Sequence, residues 1–374
     1  VFKKNKINQL SVDDFDLSDT YFIQDLPNVL PDPEDVCVIL FTSGSTGLPK
    51  AVQLTAVNFS GSARSWHQEV QFTEHDNYLL CLPVSHVGGL NIIIRALLYG
   101  FNISIAIDFN INKVNQLIYH QDISLISLVP TMMSRLLQSN NITSLFSSLR
   151  LIVIGGGPIS DKLLKICRES NLPIMVSYGM TETCSGICGW HLSAVTAEED
   201  GNYIGFPFND VKLQVDDSEI VVSGPMVMKG YIGETDCRGI HYTGDLARIS
   251  DDNKTYISGR KDNIIISGGE NVSPEEVKNI LMQIPDVNDC EVAKLPDNEW
   301  GMKIVAFIVL KNYDESRGLI KPGDQGIEIK NYCKGKLADY KIPKEVFYVN
   351  SIPRTDTGKV LKTKLMSIYN DSKH

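Results

Sequence analysis

The densest polyanion-binding chemistry in the chain lies in one stretch, Thr42-Ser43-Gly44-Ser45-Thr46-Gly47-Leu48-Pro49-Lys50. Hydroxyls, two glycines and a lysine are what a backbone needs to wrap a polyphosphate. Glycine lets main-chain amides approach closely, and hydroxyls and an ammonium oppose the charge. The spacing is not that of a Walker loop, because Gly47 is followed by Leu-Pro-Lys rather than Lys-Ser or Lys-Thr. A flexible Ser/Gly linker is the plain alternative. Two features favour binding: Lys50 closes the stretch, and an apolar run, VCVILFTSG from Val36, reads as a buried strand ending in this turn.

Further apolar runs predict the elements that would hold such a loop. A helix is expected from Thr55, strands at Asn77 to Leu82, Ile103 to Ile107, Ile123 to Val129, Leu149 to Ile154 and Pro173 to Tyr178, and helices at Lys113 to His120 and Pro130 to Gln138. Alternation of the two predicts layered α/β structure. Beyond Asn209 the runs shorten to VKLQV, SEIVVSG and KTYISG, predicting a small β-rich subdomain. A capped helix is expected over Pro274 to Met282, with Ser273 at its N-cap, then strands over Asp289 to Val309 and a helix over Lys330 to Leu337.

Other short motifs follow the loop in order: Tyr178-Gly179-Met180-Thr181-Glu182-Thr183, Tyr242-Thr243-Gly244-Asp245, Gly259-Arg260-Lys261-Asp262 and Pro353-Arg354-Thr355-Asp356-Thr357-Gly358-Lys359. Together with TSGSTGLPK they resemble the adenylate-forming (AMP-binding, acyl-CoA synthetase) superfamily. The resemblance spans Thr42 to Lys359. It implies an α/β fold: a large N-terminal lobe of layered α/β subdomains with a small β-rich subdomain, and a smaller, mobile α+β C-terminal domain. It also implies boundaries at 1-258 for the AMP-binding domain, 259-262 for the hinge and 263-374 for the mobile domain.

The same resemblance implies ATP, Mg2+ and coenzyme A as cofactors and an acid-thiol ligase reaction. Thr42, Ser43, Gly44, Ser45, Thr46, Gly47 and Lys50 would hold phosphates. Tyr178, Gly179, Thr181, Gly156 and Gly157 would line the adenylate, and Glu182 would hold Mg2+, since hard oxygen ligands suit that ion. Asp245 can accept from both ribose hydroxyls, and Arg260 would contact ribose or phosphate. Lys359 would bridge the acyl carboxylate and α-phosphate, offsetting the repulsion of two anions. Asp262 would be the pivot of the C-terminal rotation, and Gly268 and Gly269 would approach the pantetheine arm. Taken singly, Glu182 reads equally as a solvated helix-start acid, T-G-D as a common turn, and Arg260 and Lys359 as surface charges.

The segment Leu82 to Leu90, LPVSHVGGL, occupies the family's acyl pocket and lacks the aspartate that pairs with an amino acid's ammonium group. With Ile123 to Thr131 it resembles o-succinylbenzoate-CoA ligases of menaquinone biosynthesis. Ser85 and His86 would hydrogen-bond such an acid, and Gly155 would join Gly156 and Gly157 in a narrow floor. Arg95 would meet a distal carboxylate, although on a helix it could equally point away, and His86 could be structural. Another aryl or medium-chain acid, and a non-catalytic adenylate-binding relative, remain alternative readings.

Composition bounds the rest. The chain has 374 residues, 43% hydrophobic and 21% charged, enough for two or three packed domains rather than a disordered tail or disulfide miniprotein. Lys and Arg number 35 against 45 Asp and Glu, a formal charge of -10 with no basic block, which argues against nucleic acid or an anionic membrane as partner. The expected partners are a small-molecule carboxylic acid and coenzyme A, with room for a homo-oligomer. Eight dispersed cysteines without zinc spacing predict free thiols in a cytoplasmic protein. The apolar stretch Leu90 to Ile107 is interrupted by Asn91, Arg95, Gly100, Asn102 and Ser104, so no membrane span is expected. The N-terminal VFKKNKINQL carries no apolar signal segment, and the absence of an initiator Met predicts a shortened N-terminus.

Overall fold

A computed structural model describes residues 32–43, 49–138, 146, 148–195, 201–267, 269–297, 300–311, 324–354 and 360–371. Strands β1 (Val36–Ser43) and β2 (Pro49–Thr55) pair antiparallel, with Thr42 opposite Lys50 and Ser43 opposite Pro49. The phosphate-loop candidate therefore joins two paired strand ends.

Chain reversal into α1 (Ala56–Val70) is capped reciprocally. The Asn58 amide donates to Thr55 Oγ1 at 3.2 Å and the Thr55 amide to Asn58 Oδ1 at 2.9 Å. Next come β3 (Asn77–Leu80), α2 (Val87–Tyr99), β4 (Asn102–Ile105), α3 (Ile111–His120), β5 (Leu125–Leu128), α4 (Pro130–Leu137), β6 (Leu151–Ile154), α5 (Asp161–Glu169), β7 (Ile174–Met180), β8 (Ser185–His191) and β9 (Phe206–Pro207). Gly100, at φ 73°, ends α2, and Pro130 opens α4 with its preset φ.

The seven strands β3–β9 form one sheet in the order β4-β3-β5-β6-β7-β8-β9, parallel from β4 to β7 and antiparallel beyond. Alternation along these strands feeds two cores. Leu79, Ile126, Ile152 and Ile154 pack with α3, α4 and α5 on one face. Tyr78, Leu80, Leu125, Leu151 and Val153 pack with Trp66 of α1 and Ile92 of α2 on the other. Burial on both faces is why these strands read as unbroken apolar runs.

A second sheet, in the order β10-β11-β13-β14, comprises β10 (Lys212–Asp216), β11 (Glu219–Ser223), β13 (Ile240–Ile249) and β14 (Thr255–Arg260), while β12 (Gly230–Tyr231) joins the outer side of β2. After Arg260 come the hairpin β15 (Ile265–Ser267)/β16 (Glu270–Val272), α6 (Pro274–Met282), β17 (Val287–Asp297), β18 (Gly301–Leu310), α7 (Asp324–Cys333), β19 (Glu345–Tyr348) and α8 (Lys362–Asp371). The sheet β17-β18-β19 is flanked by α6 and α7 on the face of Ile304, Ala306 and Ile308, and by α8 on the face of Val305, Phe307 and Val309. This is the expected fold class, an α/β lobe with a β-rich sheet and an α+β C-terminal part.

One helix departs from its expected place. The helix read at Lys330 to Leu337 lies at Asp324–Cys333, because Gly335, at φ 78°, turns the chain out of the helix. All eight cysteines are unpaired. Among the described residues no helix is long and apolar enough to cross a membrane.

Candidate active site

The carboxyl ends of parallel strands are where α/β sheets build sites, because the loops there converge beside helix starts. Several of the residues singled out in the sequence lie there. The loop after β3 carries Ser85 and His86, the loop after β6 carries Gly155, Gly156 and Gly157, and the turn after β7 carries Thr181 and Glu182.

The first group links the phosphate-loop lysine to the magnesium candidate. Lys50 Nζ lies 4.5 Å from the centroid of the Tyr231 ring, and the Tyr231 hydroxyl donates to Glu182 Oε1 at 2.8 Å. Pairing of β12 with β2, Tyr231 opposite Val52, puts the ring there. Gly230, at φ 157°, makes the bend that lets the strand approach.

Glu182 sits in a single 3-10 turn, Thr181–Thr183. Its carbonyl accepts the Met228 amide at 2.8 Å, while Thr183 Oγ1 accepts the Met180 amide at 3.1 Å and donates to the Ser185 carbonyl at 2.8 Å. The turn leads through Cys184 and Ser185, both at positive φ, 51° and 98°. Gly179 is forced by this crossing, since a Cβ there would lie 2.1 Å from the Ser185 carbonyl oxygen. Thr42 is half-buried and Lys50 exposed; Ser43 ends β1, while Gly44, Ser45, Thr46 and Gly47 lie outside the described residues.

The donor set suits Mg2+ carried by a nucleotide. Among the described residues no three or more His, Cys, Asp or Glu gather into a cage, and Glu182 offers a single carboxylate with one oxygen engaged by Tyr231. Magnesium is usually held this way, by one or two carboxylates plus substrate phosphates.

The second group is a ribose corner. Asp245, buried, accepts from the Tyr178 hydroxyl at 2.7 Å on Oδ2 and from Arg260 Nη1 at 2.9 Å on Oδ1. Burial raises the Asp245 carboxyl, while Arg260 and Tyr178 hold it down. Burial and the neighbouring Asp245 push Tyr178 well up, so it stays a donor. An ionised carboxylate has about four lone-pair sites, so two accepted bonds leave capacity for ribose hydroxyls.

Asp262 lies in the next turn, with Arg260 Nη2 3.5 Å from its Oδ2. The buried Glu219, which the sequence reading did not select, accepts the Gly244 amide at 2.9 Å and Lys261 Nζ at 2.8 Å, tying the candidate hinge to the β-rich sheet. His241 was also missed. Burial lowers it, against the opposing pull of Glu182 and Glu219.

The acyl candidates lie at the start of α2, on α2 and after β6. Ser85 and His86 are exposed, and His86 is the N-cap residue of α2 without a capping side-chain bond. Gly155 is half-buried against Ser177, and Gly156 takes φ 75°. Arg95 points inward. Its guanidinium lies 4.3 Å from the Trp66 ring, Nη2 donates to Ser185 Oγ at 2.6 Å, and its buried Nε has no partner. Burial lowers it to about 10, which leaves it charged at neutral pH, and among the described residues no acid pairs with it. Ser85, His86 and Gly269 are joined to neither of the first two groups by a side-chain hydrogen bond among the described residues. Gly269, at φ 86°, forms the β15–β16 turn with open space around it. Gly268 and Lys359 lie outside the described residues.

The family model of AMP-binding enzymes matches residues 3–232, and that of the AMP-binding enzyme C-terminal domain matches residues 276–359. The chain belongs to the AMP-binding enzyme family. This AMP-binding enzyme is 34% identical over 343 residues to the 2-succinylbenzoate–CoA ligase of Bacillus subtilis, a match covering 87% of this chain and 68% of that one. It is also 34% identical over 340 residues to the ligase of the same name from Listeria monocytogenes, 87% of this chain and 69% of the relative. The structure is similar to that of the B. subtilis o-succinylbenzoate CoA synthetase in complex with its acyl-adenylate intermediate, with a TM-score of 0.77 and 33% identity over 89% of this chain and 69% of that chain. It is likewise similar to ATP-bound MatB from Rhodopseudomonas palustris, with a TM-score of 0.78 and 26% identity over 92% and 70%.

Tyr231 and Glu219 escaped the sequence reading because their contacts come from strand pairing, and Ser185 because its bond to Arg95 comes from α2 packing against β8. The only local signal at Tyr231 is the Gly-Tyr step between turn-rich segments.

Proposed function

We propose that this AMP-binding enzyme is an AMP-forming acid-thiol ligase that converts 2-succinylbenzoate to 2-succinylbenzoyl-CoA, a step of menaquinone biosynthesis. The carboxylate attacks the α-phosphorus of ATP, the bond to the β-phosphate oxygen breaks and pyrophosphate leaves. The thiol of coenzyme A then attacks the acyl carbon, loses its proton and expels AMP. The observation that carries the reading is the junction at the end of β7: Tyr178 reaches the ribose candidate Asp245, and Glu182, four residues on, reaches the phosphate-loop strand through Tyr231.

Each residue has a separable task. Lys50 and the loop Thr42 to Gly47 oppose phosphate charge, and Asp245 with Arg260 orients the ribose. Glu182 would hold Mg2+, which when bound would neutralise charge that builds up on the departing pyrophosphate. Gly155, Gly156 and Gly157 allow a flat ring to lie close to the backbone. Arg95, a buried cation without an acidic partner among the described residues, suits the second carboxylate of a dicarboxylic acid. Lys359 supplies the cation that draws carboxylate and α-phosphate together. Asp262 serves as the pivot between 1-258 and 263-374, and Gly268 and Gly269 line the pantetheine path. The unpaired thiols suit a reducing cytoplasm.

The test is pyrophosphate exchange across a panel of aryl, medium-chain and amino acids, followed by mass identification of the thioester. Exchange confined to 2-succinylbenzoate, with its CoA ester as product, is expected. Exchange only with another acid would replace the substrate, and exchange with none would replace the ligase reading by an adenylate binder.

A further inference from the structure

The segment Met228 to Ile232 touches both halves of the phosphate site. Its Lys229 and Ile232 amides donate to the Gln53 and Ala51 carbonyls of β2 at 3.0 Å each, and its Met228 amide donates to the Glu182 carbonyl at 2.8 Å. Tyr231 at its centre is thus held from both sides. Its ring lies under Lys50 and its hydroxyl on Glu182 Oε1. A phenol hydroxyl donating to one carboxylate oxygen limits rotation of the carboxylate and leaves the other oxygen, without that donor, better placed for a cation.

We infer that Tyr231 is a positioning residue with two separable functions: its hydroxyl orients Glu182 for Mg2+, and its ring orients Lys50 for the nucleotide phosphates. The inference rests on the ligase reading for its reaction but not for its geometry. Partners that hold a metal-ligating group in place typically change metal affinity about 10- to 100-fold when removed. A cation over an aromatic face is held by the ring alone, with no contribution from the hydroxyl.

Tyr231→Phe removes the hydroxyl and keeps the ring, whereas Tyr231→Leu removes both. Mn2+ binding is followed by electron paramagnetic resonance in the presence of a non-hydrolysable ATP analogue, and binding of the analogue is measured separately in EDTA. For Tyr231→Phe the expectation is about tenfold weaker Mn2+ binding with unchanged metal-free nucleotide affinity. The Mg2+ concentration for half-maximal pyrophosphate exchange should rise, and the rate should recover at high Mg2+. For Tyr231→Leu, metal-free nucleotide affinity should also fall about threefold.

Wild-type Mn2+ binding by Tyr231→Phe, or equal loss of metal-free and metal-dependent binding, would overturn the hydroxyl's function. Identical behaviour of the two variants would overturn the ring's. If no acid supports exchange while both binding measurements follow expectation, the ligase reading fails and the role of Tyr231 stands.

Discussion

Asp245 and Arg260 face each other across the β13–β14 pairing, and the guanidinium reaches Oδ1 at 2.9 Å while Tyr178 holds Oδ2 at 2.7 Å. Register makes this contact, so both oxygens of the ribose candidate are already engaged before any nucleotide arrives. Asp245→Asn puts an amide where a carboxylate accepts two donors. It should raise the KM for ATP about 10- to 100-fold, since hydrogen bonds to charged groups contribute about 1.5–3 kcal/mol. The KM for the acid should change little. Steady-state kinetics with each substrate varied checks the split, and an equal rise in both would place Asp245 outside the ribose corner.

In the proposed reaction Lys359 acts only while the carboxylate attacks. Lys359→Ala should lower adenylation about 10²- to 10³-fold, the usual cost of removing one stabilising donor from a developing charge. Thioester formation from pre-formed adenylate should be nearly unaffected. Single-turnover measurement of each half-reaction decides it, and equal losses would end this division of labour.

Arg95 bonds to Ser185 Oγ and has an unpartnered buried Nε. Arg95→Gln should raise the KM for 2-succinylbenzoate at least tenfold and leave benzoate, which lacks the second carboxylate, at its wild-type rate. Arg95→Lys should recover little, because a point charge cannot reproduce the planar fork. Parallel loss with both acids would make Arg95 structural.

Asp76, buried just before β3, accepts Arg150 Nε and Nη2 on its two oxygens at 2.7 Å each. Burial alone would raise its carboxyl, but Arg150, Thr73 and Ser124 hold it at about 2. A depressed carboxyl stabilises the folded state fully above its unfolded value near 3.8, and that contribution disappears as pH falls through 2. Asp76→Asn should therefore cost about 2 kcal/mol at pH 7 and flatten the loss of stability below pH 4. Urea unfolding at pH 7, 4 and 2.5 measures this, and a constant difference at all three would show that the charge is irrelevant.

Local structure was legible wherever a few neighbouring residues decide it. The run Leu149 to Ile154 reads as a strand, realised at Leu151–Ile154, because its apolar residues are buried on both faces, and Thr55 and Ser273 mark helix starts because each side-chain oxygen accepts an amide three residues on, whereas the helix Asp161–Glu169 behind Ser160 was not anticipated. The helix at Asp324–Cys333 was misplaced because the apolar pattern after Cys333 continues past a glycine whose left-handed conformation only the packed chain reveals.

By itself the sequence determined the chemical inventory and its order: hydroxyls and a lysine after a strand, then Glu182, Asp245, Arg260 and Lys359. Residue type and close neighbours set what a group can bind. Only the tertiary structure decided the direction of Arg95, the bond between Tyr231 and Glu182 and the tie from Lys261 to Glu219. Those contacts join positions 42 to 90 residues apart. Strand order, pairing register and the choice of buried face bring them together, and all three follow from packing whole elements rather than from any local pattern.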